Sequence, residues 1–438
     1  MSIKKRVVNP WYAAYIIFGS AAFVSALPLV WMYSRLGKRF SLGWRERLGF
    51  LPTALSGPDS PIWIHASSLG EVRVAGAIMA HLRNLAPDSR MMLSVTTNHG
   101  FASAKVVARD TPVVYAPLDF LFSVRRALSI TSPRVMVFLE TEIWPAWIGE
   151  SRRRGIRCAL VNGRISPRSL RWYRKFSSFF REVLEGMEVC SMITEEDRKR
   201  IVAMGADPDR VEVHGNAKYD LLSRHADPSA VSEMRGLFNL VPSDLVLVAG
   251  STREGEEEKV LDVYEQIRAR FPGIVLILAP RHIARTAGIE SLLRRRGLSY
   301  QLRTRLAESG AKRTEPVVVL DTFGELFNVY SVGTINFCGG SLVPLGGQNP
   351  MEAAVWGKAV FYGPSMEDFL DAKRLLEKEG AGIEVKGVED FSEKALRLLR
   401  DKEHLASLGE RARRAVLDNQ GAAEKHARVI AKLLNKRG

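Results

Sequence analysis

From residue 60 onward, short apolar runs alternate with longer stretches whose apolar positions recur at helical spacing. The runs at 62–66, 91–96, 113–115, 135–139 and 158–161 form one series. A second series follows at 245–249, 274–278, 317–320, 334–337 and 359–362. Each has the βαβ rhythm of a parallel sheet covered by helices on both faces. Between about residues 219 and 244 no strand pattern holds and polar residues dominate, which reads as a linker followed by an entry helix. The pattern predicts an α/β protein of two Rossmann-like, doubly wound domains facing a cleft, with ligands beyond the carboxyl ends of the strands. The expected divisions are 1–40, 41–220 and 221–438, the last helix packing back on the first domain.

Ahead of the first series, residues 11–33 carry no charge. As a helix rising about 1.5 Å per residue, this segment is long enough to cross a hydrocarbon layer of about 30 Å. Trp31, Met32 and Tyr33, followed by Arg35, Lys38 and Arg39, offer no small-residue cleavage site, so an uncleaved membrane anchor is expected. Arg35, Lys38, Arg39, Arg45 and Arg47 outweigh Lys4, Lys5 and Arg6, which places the body of the protein on the cytoplasmic face. Gly19 and Pro28 interrupt the segment, and a helix lying in the membrane interface is the alternative.

Composition narrows the partners. The chain has 438 residues, enough for two cores plus an appendage. Lys and Arg outnumber Asp and Glu by 63 to 48, a net charge of +15 that favours anionic surfaces. No zinc-finger spacing or aromatic RNA-binding signature accompanies it, so anionic inner-membrane lipids fit better than nucleic acid. Cys158, Cys190 and Cys338 each lie in an apolar run that reads as a strand, and are expected as buried thiols. No Cys/His cluster has metal-ligand spacing.

The polar motifs fall directly after strands. In His65-Ala66-Ser67-Ser68-Leu69-Gly70-Glu71, Glu71 sits where it could take a proton from an acceptor hydroxyl, or serve simply as a first-turn acid complementing a helix dipole. Glu140-Thr141-Glu142-Ile143-Trp144-Pro145 places two acids after a buried run, Glu140 expected to be the more buried. A structural acid satisfied by backbone amides is the other reading of Glu140. Lys218, in His214-Gly215-Asn216-Ala217-Lys218, could offset charge on a leaving phosphate. In the second half, Gly250-Ser251-Thr252-Arg253 and Pro280-Arg281-His282 put cations at strand ends, where Arg suits phosphate. The stretch Gly339-Gly340-Ser341-Leu342-Val343-Pro344-Leu345-Gly346-Gly347-Gln348-Asn349-Pro350-Met351-Glu352 is expected to aim free backbone N–H groups at phosphate, with Glu352 reaching ribose hydroxyls. Neither half carries a G-x-G-x-x-G fingerprint or a P-loop, which removes support for dinucleotide oxidoreductases and P-loop NTPases.

In this order the motifs resemble the transferases of 3-deoxy-D-manno-octulosonic acid (Kdo) of lipopolysaccharide biosynthesis, which have the GT-B fold. The resemblance implies CMP-Kdo as donor and a glucosamine hydroxyl of the lipid A precursor as acceptor. It also implies Glu71 as general base, and Glu140 and Lys218 as groups stabilising the transition state. For CMP it implies Pro280 and Arg281, then Phe323, Gly324 and Glu325, then Asn349, Pro350, Met351 and Glu352. Attack would be direct and inverting, with no cofactor and no metal. Gln348 departs from the pattern: many members carry His before Asn-Pro, and an amide cannot become a cation. The alternatives are another GT-B enzyme using a UDP-sugar and a lipid acceptor, and a non-catalytic membrane-bound nucleotide-sugar binding protein.

Overall fold

The computed structural model describes residues 10–19, 21, 25, 28, 43–57, 59–108, 110–306 and 312–435. The chain divides into two compact units, one running to Leu221 and resuming at Gln420, the other spanning Leu222–Asn419.

The first unit is built on a sheet of β1 (Ile62–Ala66), β2 (Met91–Val95), β3 (Val113–Tyr115), β4 (Val135–Leu139), β5 (Arg157–Gly163), β6 (Met187–Met192) and β7 (Val211–Val213). All neighbours pair parallel in the order β3-β2-β1-β4-β5-β6-β7. β1 and β4 are buried at every position, which requires helices on both faces. One face is covered by the Leu69–Leu85 helix together with the C-terminal helix Ala422–Asn435, whose Ala423, Ala427, Ile430 and Leu434 form an apolar stripe of helical period. Trp63 and Trp147, edge to face at 5.1 Å between ring centres, anchor the other face.

The second unit repeats the plan with β8 (Val246–Thr252), β9 (Val275–Pro280), β10 (Tyr300–Leu302), β11 (Val317–Val319), β12 (Ile335–Cys338), β13 (Val360–Tyr362) and β14 (Gly382–Glu384). Their parallel order is β10-β11-β9-β8-β12-β13-β14. Phe337, Phe361 and Phe391 stack within its core. The strand order reverses between β1 and β4 in the first sheet and between β8 and β12 in the second, where β11 is also inserted between β9 and β10. Ligand sites form at such switch points, past the carboxyl ends of the strands.

Three departures from the sequence reading have physical reasons. The segment expected as a linker is helical, Lys218–His225 and Ser229–Leu237, and the first unit ends within the former. Strands β7, β10 and β14 were not legible because each is a three-residue edge strand whose apolar run is broken by Glu212, by Gln301, and by Gly382 and Glu384, whereas the equally short edge strand β3 is the unbroken run Val113-Val114-Tyr115. The expected anchor, residues 11–33, lies partly outside the described residues. Its start, a short helix Pro10–Ala14 and a π-turn Tyr15–Gly19, packs on the first unit. There Tyr12 donates to the Pro145 carbonyl, and Tyr15 donates to Asp119 at 2.7 Å. Among the described residues no helix is long and apolar enough to cross a membrane. The three cysteines are buried, and burial pushes the Cys158 and Cys190 thiols up to about 12.

Candidate active site

In the first unit the turn from β1 into the Leu69–Leu85 helix fixes Glu71. Ser68 is the N-cap: its hydroxyl accepts from the Glu71 N–H and donates to Glu71 Oε1 at 2.8 Å, while the Ser67 N–H donates to Oε2 at 2.8 Å. This reciprocal capping makes Glu71 both a first-turn acid and a carboxylate held in one orientation. Burial pushes its carboxyl up to about 7, with further upward contributions from Glu140 and then Glu142, against the downward pull of its two hydrogen bonds. A carboxyl poised near neutrality with two acidic neighbours suits a general base.

Glu140 follows β4 with φ +52°, left-handed backbone that costs a non-glycine residue on the order of 1 kcal/mol. Two bonds to β5 hold it there: its N–H donates to the Val161 carbonyl, and its own carbonyl accepts from the Arg164 N–H. Its carboxylate lies 2.6 Å from Lys218 Nζ. That contact is an ion pair too poorly aligned for a linear hydrogen bond. Glu142, expected to be less buried than Glu140, is equally so, at 14% against 13% side-chain exposure. Its carboxylate accepts from Trp144 Nε1 at 2.6 Å and lies 3.4 Å from Nε2 of buried His65. Ser94 Oγ accepts from Trp63 Nε1 and bonds His65 Nδ1 at 3.0 Å. The hydroxyl hydrogen is thereby available to Nδ1, leaving the Nε2–H to face Glu142. The structure thus gathers Glu71, Glu140, Glu142, His65 and Lys218 at the β1/β4 switch point. His65 and Glu142 lay within the sequence motifs without being singled out as site residues.

The second unit uses its switch point differently. Glu256, fully buried, accepts from four backbone N–H groups: Oε1 from Ser341 and Leu342 at 2.9 and 2.8 Å, Oε2 from Arg253 and Gly340 at 2.9 and 2.6 Å. The expectation that this part of the glycine-rich stretch aims free N–H groups at phosphate is therefore corrected, because a protein carboxylate already occupies them. The Asn349-Pro350 helix is a single turn, Met351–Ala354, too short for an appreciable dipole. Gly339 is needed for close approach: a Cβ there would lie 2.6 Å from the Ser251 carbonyl oxygen.

The remaining donor-side candidates have distinct settings. Arg281 and His282 are exposed after β9, the Arg281 N–H donating to the Thr252 carbonyl, and Arg253 Nη1 donates to His282 Nε2 at 2.6 Å. Phe323 is 76% exposed beside Gly324 (φ +92°), and Glu325 pairs with Arg303 at 2.7 Å. Asn349 Oδ1 accepts from the Met351 N–H, Met351 and Pro350 are buried, and Glu352 is half-buried. Gln348 donates to the adjacent Gly347 carbonyl. Among the described residues, no group of three or more His, Cys, Asp or Glu side chains is arranged to hold a metal ion.

Two doubly wound units, each with polar groups at its switch point, define a glycosyltransferase of the GT-B fold. A solved glycosyltransferase from Rickettsia africae matches it with a TM-score of 0.60 at 13% identity, covering 87% of this chain and 100% of that one. Residues 42–221 match the family described as 3-deoxy-D-manno-octulosonic-acid transferase. The 3-deoxy-D-manno-octulosonic acid transferase of Bordetella pertussis is 30% identical over 414 residues, 91% of this chain and 94% of that protein. A bifunctional glycosyltransferase/methyltransferase of Fusobacterium nucleatum is 33% identical over 334 residues, and the chain spans 51% of its length. The chain belongs to the Kdo transferase family, and is a glycosyltransferase of lipopolysaccharide biosynthesis.

Proposed function

We propose that the chain moves Kdo from CMP-Kdo to a glucosamine hydroxyl of a lipid A precursor, with inversion and release of CMP. The observation that carries this reading is Glu71, a carboxyl raised to about 7 and fixed by Ser67 and Ser68. As the acceptor oxygen bonds to the anomeric carbon, its proton passes to Glu71, while the bond from that carbon to the CMP phosphate oxygen breaks and its electron pair stays with CMP. Lys218, held by Glu140, offsets negative charge as it develops. Arg253 and Arg281 hold the donor phosphate as cations, and exposed Phe323 offers a face to the base. No cofactor enters the scheme.

We place the reaction at the cytoplasmic face of the inner membrane. Trp11, Ile17, Phe18, Trp172 and Phe176 are exposed, Tyr12 and Tyr15 pack on Phe179 in the same part of the first unit, and the chain carries a +15 charge. Aromatic side chains with surrounding positive charge suit an anionic bilayer surface.

The test is transfer in EDTA, with CMP-Kdo generated in situ and a tetra-acylated lipid A precursor, comparing wild type with Glu71→Ala. Transfer by wild type, lost in the variant while CMP still binds, is the expected result. Transfer from a UDP-sugar and none from CMP-Kdo would overturn the donor, and an active Glu71→Ala would overturn the base.

A further inference from the structure

The C-terminal helix brings one polar group into the interior of the first unit. His426 is fully buried, and it faces the back of the loop that carries Lys218. Its Nε2 lies 3.1 Å from the Gly215 carbonyl, which can only accept, so Nε2 carries the proton. Nδ1 is then an acceptor, met by Ser191 Oγ at 2.8 Å and by the Asn162 N–H at 3.4 Å. Ser191 in turn bonds His214 Nδ1 at 2.7 Å. Burial pushes His426 down to about 4, which keeps this single neutral form.

The groups that His426 touches lead to the site by two short routes. Gly215 begins the turn whose Asn216 Oδ1 accepts from the Lys218 N–H at 3.1 Å. Asn162, at φ +50° in a register shift at the end of β5, accepts from the Ala217 N–H through its Oδ1 at 2.9 Å. Val161, one residue earlier, accepts from the Glu140 N–H. The helix bearing His426 is itself pinned nearby, since Asp220 accepts from the Gly421 and Ala423 N–H groups. One imidazole thus bonds the turn that leads to Lys218 and the β5 residue next to Val161, which holds the Glu140 backbone.

We propose that His426 is a positioning residue for the Glu140–Lys218 pair, acting through Asn162 and the 215–217 turn. This rests on the reading of that pair as the transition-state groups of the transfer. The role needs a buried donor and acceptor at fixed separation, which imidazole supplies and a phenyl ring does not. Displacement of a catalytic group by about 1 Å can cost about a hundredfold in rate.

The experiment is a double-mutant cycle in the full-length chain, with His426→Phe, Lys218→Ala and the pair. His426→Phe is expected to lower kcat by about 10- to 100-fold while the donor KM stays within about twofold. In the Lys218→Ala background the same change is expected to cost less than about twofold, because its route to the reaction is already gone. His426→Gln, which keeps a donor for the Gly215 carbonyl, should recover most of the rate. Equal losses in both backgrounds would overturn the proposal, since a purely structural defect is additive with Lys218→Ala. If His426→Phe does not fold, Asn162→Gly, which retains the left-handed backbone and removes the bond to Ala217, takes its place under the same criterion. A second readout needs no substrate: acylation of Lys218 by an amine-selective reagent, followed by mass spectrometry. Faster labelling in His426→Phe, or in Asn162→Gly where that variant stands in, than in wild type supports the positioning role even if Kdo transfer is not the reaction. Unchanged labelling of Lys218 overturns it.

Discussion

The two units place a buried carboxylate at the same topological position and use it in opposite ways. Glu71, past β1, has two hydrogen bonds, two acidic neighbours and a carboxyl raised to about 7. Glu256, past β8, has four backbone donors. Burial without compensation makes a proton acceptor, whereas burial with every lone-pair direction met makes a brace for a loop. The cations differ in the same sense. Lys218 is committed to Glu140, while Arg281 stands exposed after β9. In the proposed reaction the first unit supplies proton transfer and charge stabilisation, and the second holds the donor.

The sharpest way to break this contrast is to separate kcat from KM. Glu71→Gln keeps the shape of the side chain and removes its basicity, so kcat should fall by about a hundredfold to ten-thousandfold with the donor KM nearly unchanged. Arg281→Ala should do the reverse, raising the donor KM by about tenfold or more with a smaller change in kcat. Steady-state kinetics with CMP-Kdo varied at saturating acceptor would decide. A KM effect from Glu71→Gln matching that of Arg281→Ala would remove the division of labour.

Next in size is the brace. In Glu256→Gln the amide nitrogen must face one of two pairs of N–H donors, Ser341 with Leu342 or Arg253 with Gly340, and leaves that pair unsatisfied. Two orphaned buried donors cost about 1–3 kcal/mol each. The second unit should unfold at lower denaturant concentration and CMP should bind more weakly by calorimetry. Wild-type stability with weakened CMP binding would instead mean that Glu256 meets the ligand directly.

Glu71 should also carry a cost in stability that depends on pH. Burial pushes its folded carboxyl up to about 7 from an ordinary value of about 4.5, so folding favours the protonated form. That preference is fully present below about 4.5 and is lost as pH rises through about 7, which leaves the ionised site destabilising at higher pH. The difference corresponds to a ceiling of about 3 kcal/mol. Glu71→Gln should therefore melt several degrees above wild type at pH 8 and alongside it near pH 5, by calorimetry. A stabilisation independent of pH would point to packing.

How much of this was legible follows from the range of each interaction. The interior strands and the edge strand β3 show in the sequence as continuous apolar runs, while edge strands β7, β10 and β14 are broken by polar residues or glycine and do not. Glu71, Glu140 and Lys218 could each be placed at a strand or domain end, but their grouping is tertiary. The stretch from Gly339 to Gly347 announces close backbone approach without saying what fills the loop, and Glu256 fills part of it from the end of another strand. The left-handed backbone of Asn162 does not show in its sequence neighbours. Nothing in the local sequence marks His426, because it sits in an amphipathic helix where a buried polar residue looks like an interruption of the stripe.

The smallest effect tests the electrostatic half of the contrast most directly. If Glu71 is the base, the ascending limb of kcat/KM against pH reports its ionisation in the free enzyme, near 7. Burial is the largest cause of that value, Glu140 the next and Glu142 the third. Glu140→Gln would also unpair Lys218, changing two charges' surroundings at once. Glu142→Gln is cleaner, because the amide can still accept from Trp144 Nε1 while losing its charge beside His65. Removing a nearby negative charge makes the Glu71 proton easier to lose, so the limb should move to lower pH, by about half a unit to one unit. A limb that stays in place would assign the raised carboxyl to burial and Glu140 alone. A limb that moves upward would mean that Glu142 does not act on Glu71 as a like charge.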